Sequence, residues 1–207
     1  MKANCQVAYS EFNFIKVIKE FGLLEQRLNL FEPLQPIEPS SWLREALDIG
    51  LQLALTSSAS SEKARSEFIV APVLMELERH NHGQLALYSG ERLDVDIDKG
   101  LVGECDFILS KGPLSPAIQA PIFALVEAKK NDIGLGLGQC IAQMLGAQLF
   151  NQQENHINST MFGGVTTGEN WQFLKLIKNT VYIDIKRYYI NQIEVLLGIL
   201  QQIVELE

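Results

Sequence analysis

The segment 122–129 constrains the fold of this chain more than any other stretch. It reads Ile-Phe-Ala-Leu-Val-Glu-Ala-Lys and follows a loop that contains three prolines. Short apolar runs bounded by turn signals indicate strands whose faces are covered. Because strand side chains alternate between two faces, Glu127 and Lys129 project on the same side. The segment therefore predicts a central strand that carries a carboxylate and an ammonium where an unpaired charge is costly.

A second strand-like segment, 103–110, supplies another carboxylate, Asp106, just before an apolar run. The loop between the two segments predicts neighbouring strands, which lie about 4.8 Å apart. Asp106 and Glu127 would then converge on one hard cation, Mg²⁺ or in its place Mn²⁺, because carboxylate oxygens and water suit such ions. A cation there can polarise a phosphoryl oxygen, and Lys129 can orient a water or offset developing charge.

The remaining pattern predicts helices and strands on both sides of these segments. Predicted helices cover 10–28, 41–55, 61–80, 138–151 and 188–205, and further strands cover 84–89, 92–97, 161–166, 171–177 and 181–185. Gly134, Gly136 and Gly138 predict a loop before the fourth helix. The order favours an α/β fold, a mixed central sheet flanked by helices. We interpret 1–60 as an N-terminal helical extension and 61–207 as the α/β domain.

Composition excludes several classes of protein. The 207 residues include 17 Lys and Arg against 25 Asp and Glu, a net charge of −8, which argues against a generic nucleic-acid coat. The three cysteines have no CxxC spacing, so neither a disulfide framework nor a zinc site is indicated. The chain shows no signal peptide and no apolar stretch near 18 residues. We therefore predict a cytoplasmic protein without a membrane partner.

The two strands together resemble the PD-(D/E)xK nuclease superfamily, whose fold is called restriction-endonuclease-like. In that family an Asp on one strand and an E-x-K on the next bind Mg²⁺ and cleave phosphodiesters. Asp106 matches the Asp, and Glu127 and Lys129 match the E-x-K, while Cys105 stands in place of the motif's proline. The resemblance covers about residues 61–177, and the chain is similar to small single-domain members of the superfamily. It implies a Mg²⁺-dependent nuclease that acts on nucleic acid, with DNA as the expected substrate.

Two flanking helices extend the resemblance. Related nucleases often carry a metal-proximal Glu on the helix before the first strand, where this chain offers Glu62 and Glu67. Glu62 fits by its distance from Pro72 and Glu67 by helical face, and we favour Glu67, with Glu62 as the alternative. Related nucleases also carry a Gln near the scissile phosphate, and Gln139 and Gln143 lie one turn apart on the helix after the lysine strand.

Other interpretations of the same residues stay open. The net charge of −8 favours a catalytically inactive nuclease-fold module that binds or assembles through a protein partner or a second copy. A metal-dependent phosphatase, or another small-molecule hydrolase, would use the same carboxylates. A solvated ion pair on an edge strand is the non-catalytic interpretation of Glu127 and Lys129.

Overall fold

One mixed β-sheet forms the centre of the protein. The computed structural model describes residues 8–55, 61–156 and 160–206. Its strands are β1 (Leu24–Leu28), β2 (Leu85–Arg92), β3 (Glu104–Lys111), β4 (Ile122–Ala128), β5 (Met161–Thr166), β6 (Asn170–Ile177), β7 (Thr180–Asp184) and β8 (Tyr188–Tyr189). They are ordered β1-β7-β6-β5-β4-β3-β2, and β8 pairs with β6. Pairs β1–β7 and β4–β5 are parallel, and the others are antiparallel.

Helices cover both faces of the sheet. They are α1 (Phe14–Glu20), α2 (Ser41–Leu55), α3 (Glu62–Arg65), α4 (Ala71–His80), α5 (Ile133–Gln153) and α6 (Ile193–Glu205). A π-helical turn, Ser66–Val70, joins α3 to α4 without a break. One apolar core contains residues of α2, α4 and α6, and the other contains residues of α1 and α5. This arrangement confirms the predicted α/β class and the mixed sheet flanked by helices.

Strand β4 is the covered strand that the sequence predicted. All seven of its residues are buried, because β3 and β5 flank it and apolar cores cover both faces. The predicted helix 41–55 and the predicted strands around β5, β6 and β7 are also confirmed. The predicted strand 92–97 is not a separate strand: Arg92 ends β2, and beyond it an isolated bridge joins Asp96 to Leu101.

The segment that we predicted to be a helical extension also contributes a strand to the sheet. The predicted helix 10–28 ends at Glu20, and Gly22 adopts a φ of +61°, which favours glycine. Beyond this turn, β1 pairs in parallel with β7. The partner strand lies more than 150 residues further along the chain, so no local pattern reveals the pairing.

The glycine-rich loop predicted before the fourth helix is wrong, because these glycines lie inside α5. Asp132 caps the helix by accepting a hydrogen bond from the Gly134 N–H, and the helix then begins at Ile133. At Gly138 the backbone of residues 12–14 approaches so closely that an added Cβ would lie 2.2 Å from the Asn13 carbonyl carbon. Glycine therefore serves close packing here rather than a turn.

Helix α5 also corrects the expectation about apolar stretches. By length and composition alone, Ile133–Gln153 could cross a membrane. However, 56% of its most apolar 18-residue stretch is buried inside the protein, where the helix packs against β4 and β5. This is the environment of a core helix in a soluble protein, and a cytoplasmic location stays a prediction.

The close approach at Gly138 predicts a stability loss on substitution. In Gly138→Ala the new methyl group meets backbone atoms, so we expect the free energy of unfolding to fall by about 1–3 kcal/mol, as overpacking does. The control is Gly134→Ala, whose Cβ would meet Asp132 Oδ1 at 3.1 Å. Urea unfolding measures the free energy of unfolding of both variants. A Gly138→Ala protein as stable as the wild type would contradict the packing described here.

Candidate functional site

Strands β3 and β4 separate at the point where the predicted carboxylates lie. Their last paired residues at this end are Phe107 and Val126. Beyond them the Ala128 N–H donates a hydrogen bond of 2.7 Å to Asp106 Oδ2 instead of to a strand partner. The carboxylate thus replaces a backbone acceptor and is held against β4. Within the described residues its second oxygen, Oδ1, accepts no hydrogen bond.

Glu127 is buried, and each of its two carboxylate oxygens accepts a hydrogen bond from a neighbouring side chain. Lys129 Nζ donates to Glu127 Oε1 at 2.6 Å, and Gln143 Nε2 donates to Glu127 Oε2 at 2.7 Å. Glu127 is 1% exposed and Gln143 is wholly buried. Lys129 Nζ also lies 3.5 Å from Glu62 Oε1, which brings α3 to the same point. The predicted projection of Glu127 and Lys129 to one side is confirmed.

These side chains open onto a cleft of about 320 Å³. Its walls come from β3, β4, α3, α5 and the residues just before α1. The lining residues are Ala8, Tyr9, Ser10, Glu62, Gly103, Glu104, Asp106, Glu127, Lys129 and Gln139. Four carboxylates face one ammonium, so the lining carries a formal charge of −4 + 1 = −3 when all are ionised.

Burial and mutual repulsion change how the site titrates. Burial, with the neighbouring Asp106 carboxylate, raises the pKa of Glu127 to about 7, although Lys129 and Gln143 act in the opposite direction. Burial also raises the pKa of Asp106, against the hydrogen bond from Ala128. For Lys129, burial disfavours the ammonium, but Glu127 and the other carboxylates outweigh it and raise the pKa. The site therefore holds negative charge at an electrostatic cost.

Most of the residues predicted for the site come together here. Asp106, Glu127 and Lys129 lie in one cluster with Gln143, and Gln139 lies one helical turn away on the cleft wall. The two glutamines therefore differ in position, since Gln143 is bonded to Glu127 in the interior and Gln139 faces the open space.

Glu62, and not the favoured Glu67, joins the cluster. Glu67 lies 3.6 Å from Lys63 in an exposed ion pair and does not line the cleft. The π-helical turn explains the difference, because one extra residue in the turn shifts the helical face. Arg65 points inward and donates a hydrogen bond to the Thr167 carbonyl, while Glu67 points outward. The preference rested on uninterrupted α-helical spacing, which the chain does not keep.

Several residues of the site escaped the sequence interpretation. Tyr9 is buried on the cleft wall, where its N–H donates to the Val102 carbonyl. Gly136 gives room to the lysine, since a Cβ there would lie 3.0 Å from Lys129 Cγ. Glu104 is a different case: it lies two residues before Asp106, a spacing that predicts the same face and leaves a further metal ligand or a surface carboxylate open, and it lines the cleft.

The donor set suits a hard cation that keeps part of its hydration. Among residues 8–55, 61–156 and 160–206, no group of three or more His, Cys, Asp and Glu side chains is arranged to hold a metal ion. Mg²⁺, however, is usually bound by one or two carboxylates together with waters and substrate oxygens. Asp106, whose Oδ1 accepts no hydrogen bond from the described residues, and the nearby Glu127 provide two such carboxylates, whose mutual repulsion a cation would relieve.

Comparison with known proteins gives no family assignment. Neither the scan against family models nor the search of curated proteins finds a match to this chain. The interpretation of the cleft therefore depends on its own geometry and chemistry.

The raised pKa of Glu127 predicts how stability depends on pH. The folded protein keeps a proton on this carboxyl that the unfolded chain releases between pH 4.5 and about 7. The contribution of Glu127 to the free energy of unfolding therefore declines as pH rises through this interval, by up to about 3 kcal/mol. Without divalent cations, we expect Glu127→Gln to become more stable relative to the wild type from pH 5 to pH 8.

Urea unfolding at several pH values, in a chelating buffer, measures this difference. Glu67→Gln is the control, because it removes a carboxyl that is 53% exposed and outside the cleft. A stability difference between Glu127→Gln and the wild type that stays constant with pH would contradict the assigned electrostatics.

Proposed function

We propose that this protein hydrolyses phosphodiester bonds of nucleic acid with a divalent cation, on a restriction-endonuclease-like fold. The observation that carries the proposal is a pair of mutually repelling carboxylates, the buried Glu127 and the half-buried Asp106, with Lys129 Nζ at 2.6 Å from Glu127 Oε1. A structural ion pair needs one carboxylate for one ammonium. Here a second carboxylate, the half-buried Asp106, adds repulsion, and a cation bound between the two carboxylates would relieve it.

A divalent cation at Asp106 and Glu127 would polarise a phosphoryl oxygen and lower the pKa of a water in its shell. Asp106 is suited to hold it, because the Ala128 N–H fixes Oδ2 while Oδ1 has no hydrogen-bond donor among the residues that the structure describes. Gln143 fixes the orientation of Glu127 from the interior. These contacts keep the oxygens in place before a substrate arrives, which preorganises the site.

Lys129 and Gln139 are the groups suited to contact the substrate. The Lys129 ammonium lies between Glu127 and Glu62, and its raised pKa keeps it protonated at neutral pH. A proton donor there can orient an attacking water or stabilise charge that develops on the phosphate oxygens. Gln139 lines the open part of the cleft, within the reach of a phosphate that binds beside the lysine.

A second candidate function is a non-catalytic nuclease-fold module. Both Glu127 oxygens already accept hydrogen bonds, and the cleft lining is acidic, which opposes a polyanion unless cations are bound. In such a module the cluster would act only as a buried ion-pair network. The experiments below separate the two functions.

Nuclease activity should depend on the cluster of Asp106, Glu127 and Lys129. The purified protein is incubated with end-labelled single- and double-stranded DNA and RNA, with Mg²⁺ or Mn²⁺, and cleavage is followed on gels. We expect cleavage that chelation abolishes and that falls by about 100-fold or more in Asp106→Asn and in Lys129→Ala, because each removes a group that acts on the reacting phosphate.

The matched control is Lys130→Ala, which removes the adjacent but exposed lysine and should leave the rate unchanged. Circular dichroism verifies that each variant is folded. If the folded wild type with bound metal cleaves none of these substrates, or Lys129→Ala cleaves as fast as the wild type, the catalytic proposal fails and the module remains.

Cation affinity should depend on pH and on Glu62 rather than Glu67. Because protons compete with the cation for Glu127, whose pKa is about 7, Mn²⁺ affinity measured by calorimetry should rise about tenfold from pH 6 to pH 8. Glu62→Gln should weaken binding, since Glu62 faces the cleft, and Glu67→Gln should not. Equal effects of the two variants, or no binding at pH 8, would count against a cation site here.

A further inference from the structure

Strand β1 is an edge strand that no other part of residues 8–55, 61–156 and 160–206 covers. It lies at one end of the sheet, with β7 on one side and an open edge on the other. All five of its residues are exposed, so no helix in the described part of the chain packs against either of its faces. Its ordered geometry therefore depends on the backbone pairing with β7. An exposed edge of this kind is a template for pairing with another chain.

The phase of the hydrogen bonds shows which backbone groups are free to pair. The Leu24 N–H donates to the Asn179 carbonyl at 2.9 Å, and the Ile185 N–H donates to the Leu28 carbonyl at 3.1 Å. In a parallel ladder alternate residues bond the same neighbour, so Leu24, Gln26 and Leu28 bond β7. The N–H and C=O groups of Glu25 and Arg27 consequently point to the open edge.

The sequence of β1, Leu-Glu-Gln-Arg-Leu, is complementary to itself when two copies run antiparallel. If Gln26 of one copy lies opposite Gln26 of the other, Leu24 faces Leu28 and Glu25 faces Arg27. Directly opposite residues in a hydrogen-bonded pair exchange two bonds. Glu25 and Arg27, whose backbone groups are free, would then form two such pairs and four hydrogen bonds in all.

We propose that two copies of this chain associate by antiparallel pairing of their β1 strands about a twofold axis at Gln26. The charges select this register. Parallel pairing would place Glu25 against Glu25, and an antiparallel shift of two residues would place Glu25 against Glu25 or Arg27 against Arg27, which is destabilising. Within one chain Arg27 Nε lies 2.8 Å from Glu25 Oε1, so both side chains already share one face.

This pairing fixes the relation between the two clefts. Strand β4 lies four strand spacings from β1, so the two β4 strands of the dimer would be nine spacings apart, about 40 Å. Opposite residues in an antiparallel pair share a face, and hence both α5 helices would lie on the same face of one continuous sheet. The clefts would open at opposite ends of the strands, each complete without the other copy.

Charge reversal tests the interface without assuming any chemistry in the cleft. Sedimentation velocity of the wild type from about 1 μM to about 1 mM, the range of weak specific pairs, should show a concentration-dependent dimer. Glu25→Arg alone places Arg against Arg27 in both pairs, and Arg27→Glu alone places Glu against Glu25 in both. We expect each single variant to self-associate at least about tenfold more weakly than the wild type.

Mixing the two single variants gives the decisive result, because one copy then offers two arginines and the other two glutamates. The mixture should form a heterodimer, and the double variant Glu25→Arg with Arg27→Glu should regain the homodimer. Recovery in the mixture also shows that both variants are folded. A wild type that is monomeric throughout, single variants that remain dimeric, or a mixture that remains monomeric would each overturn the proposal.

Discussion

The burial of a carboxylate in the central strand governs the rest of this structure. Glu127 occupies β4, every residue of which is covered, and an isolated charge there would be strongly destabilising. The chain meets this constraint with the ammonium of Lys129, just beyond the end of β4, and a buried amide from α5. The position of α5 and the course of β4 are therefore linked through one side chain.

The cleft exists because two neighbouring strands separate instead of continuing their ladder. Asp106 replaces the missing backbone acceptor of Ala128, so the Ala128 N–H stays paired and a second carboxylate lies close to Glu127. Close packing at Gly136 and Gly138 then brings the lysine stem and the residues before α1 against α5. The same helix thus packs the core, orients Glu127 and forms one wall.

The net charge of −8 is the sum of local groups of charges that have different effects in the folded protein. Four carboxylates against one ammonium line the cleft, which favours cations and makes them necessary for a polyanionic substrate. At the far edge of the sheet, the alternating charges of β1 are balanced and would instead select the orientation of a second copy. Acidity is therefore local in its effects, and neither site is evident from the total charge.

The sequence by itself determined the α/β class, the covered strand β4, and the alignment of Glu127 with Lys129, because strand alternation and apolar runs are local properties. It also brought forward Asp106 and Gln143. Only the tertiary structure decided between Glu62 and Glu67, since a π-helical turn shifts the face that regular spacing predicts. It also placed the glycines of α5 in a helix and β1 in the sheet. Both depend on contacts between segments distant in sequence, and local periodicity carries no information about them.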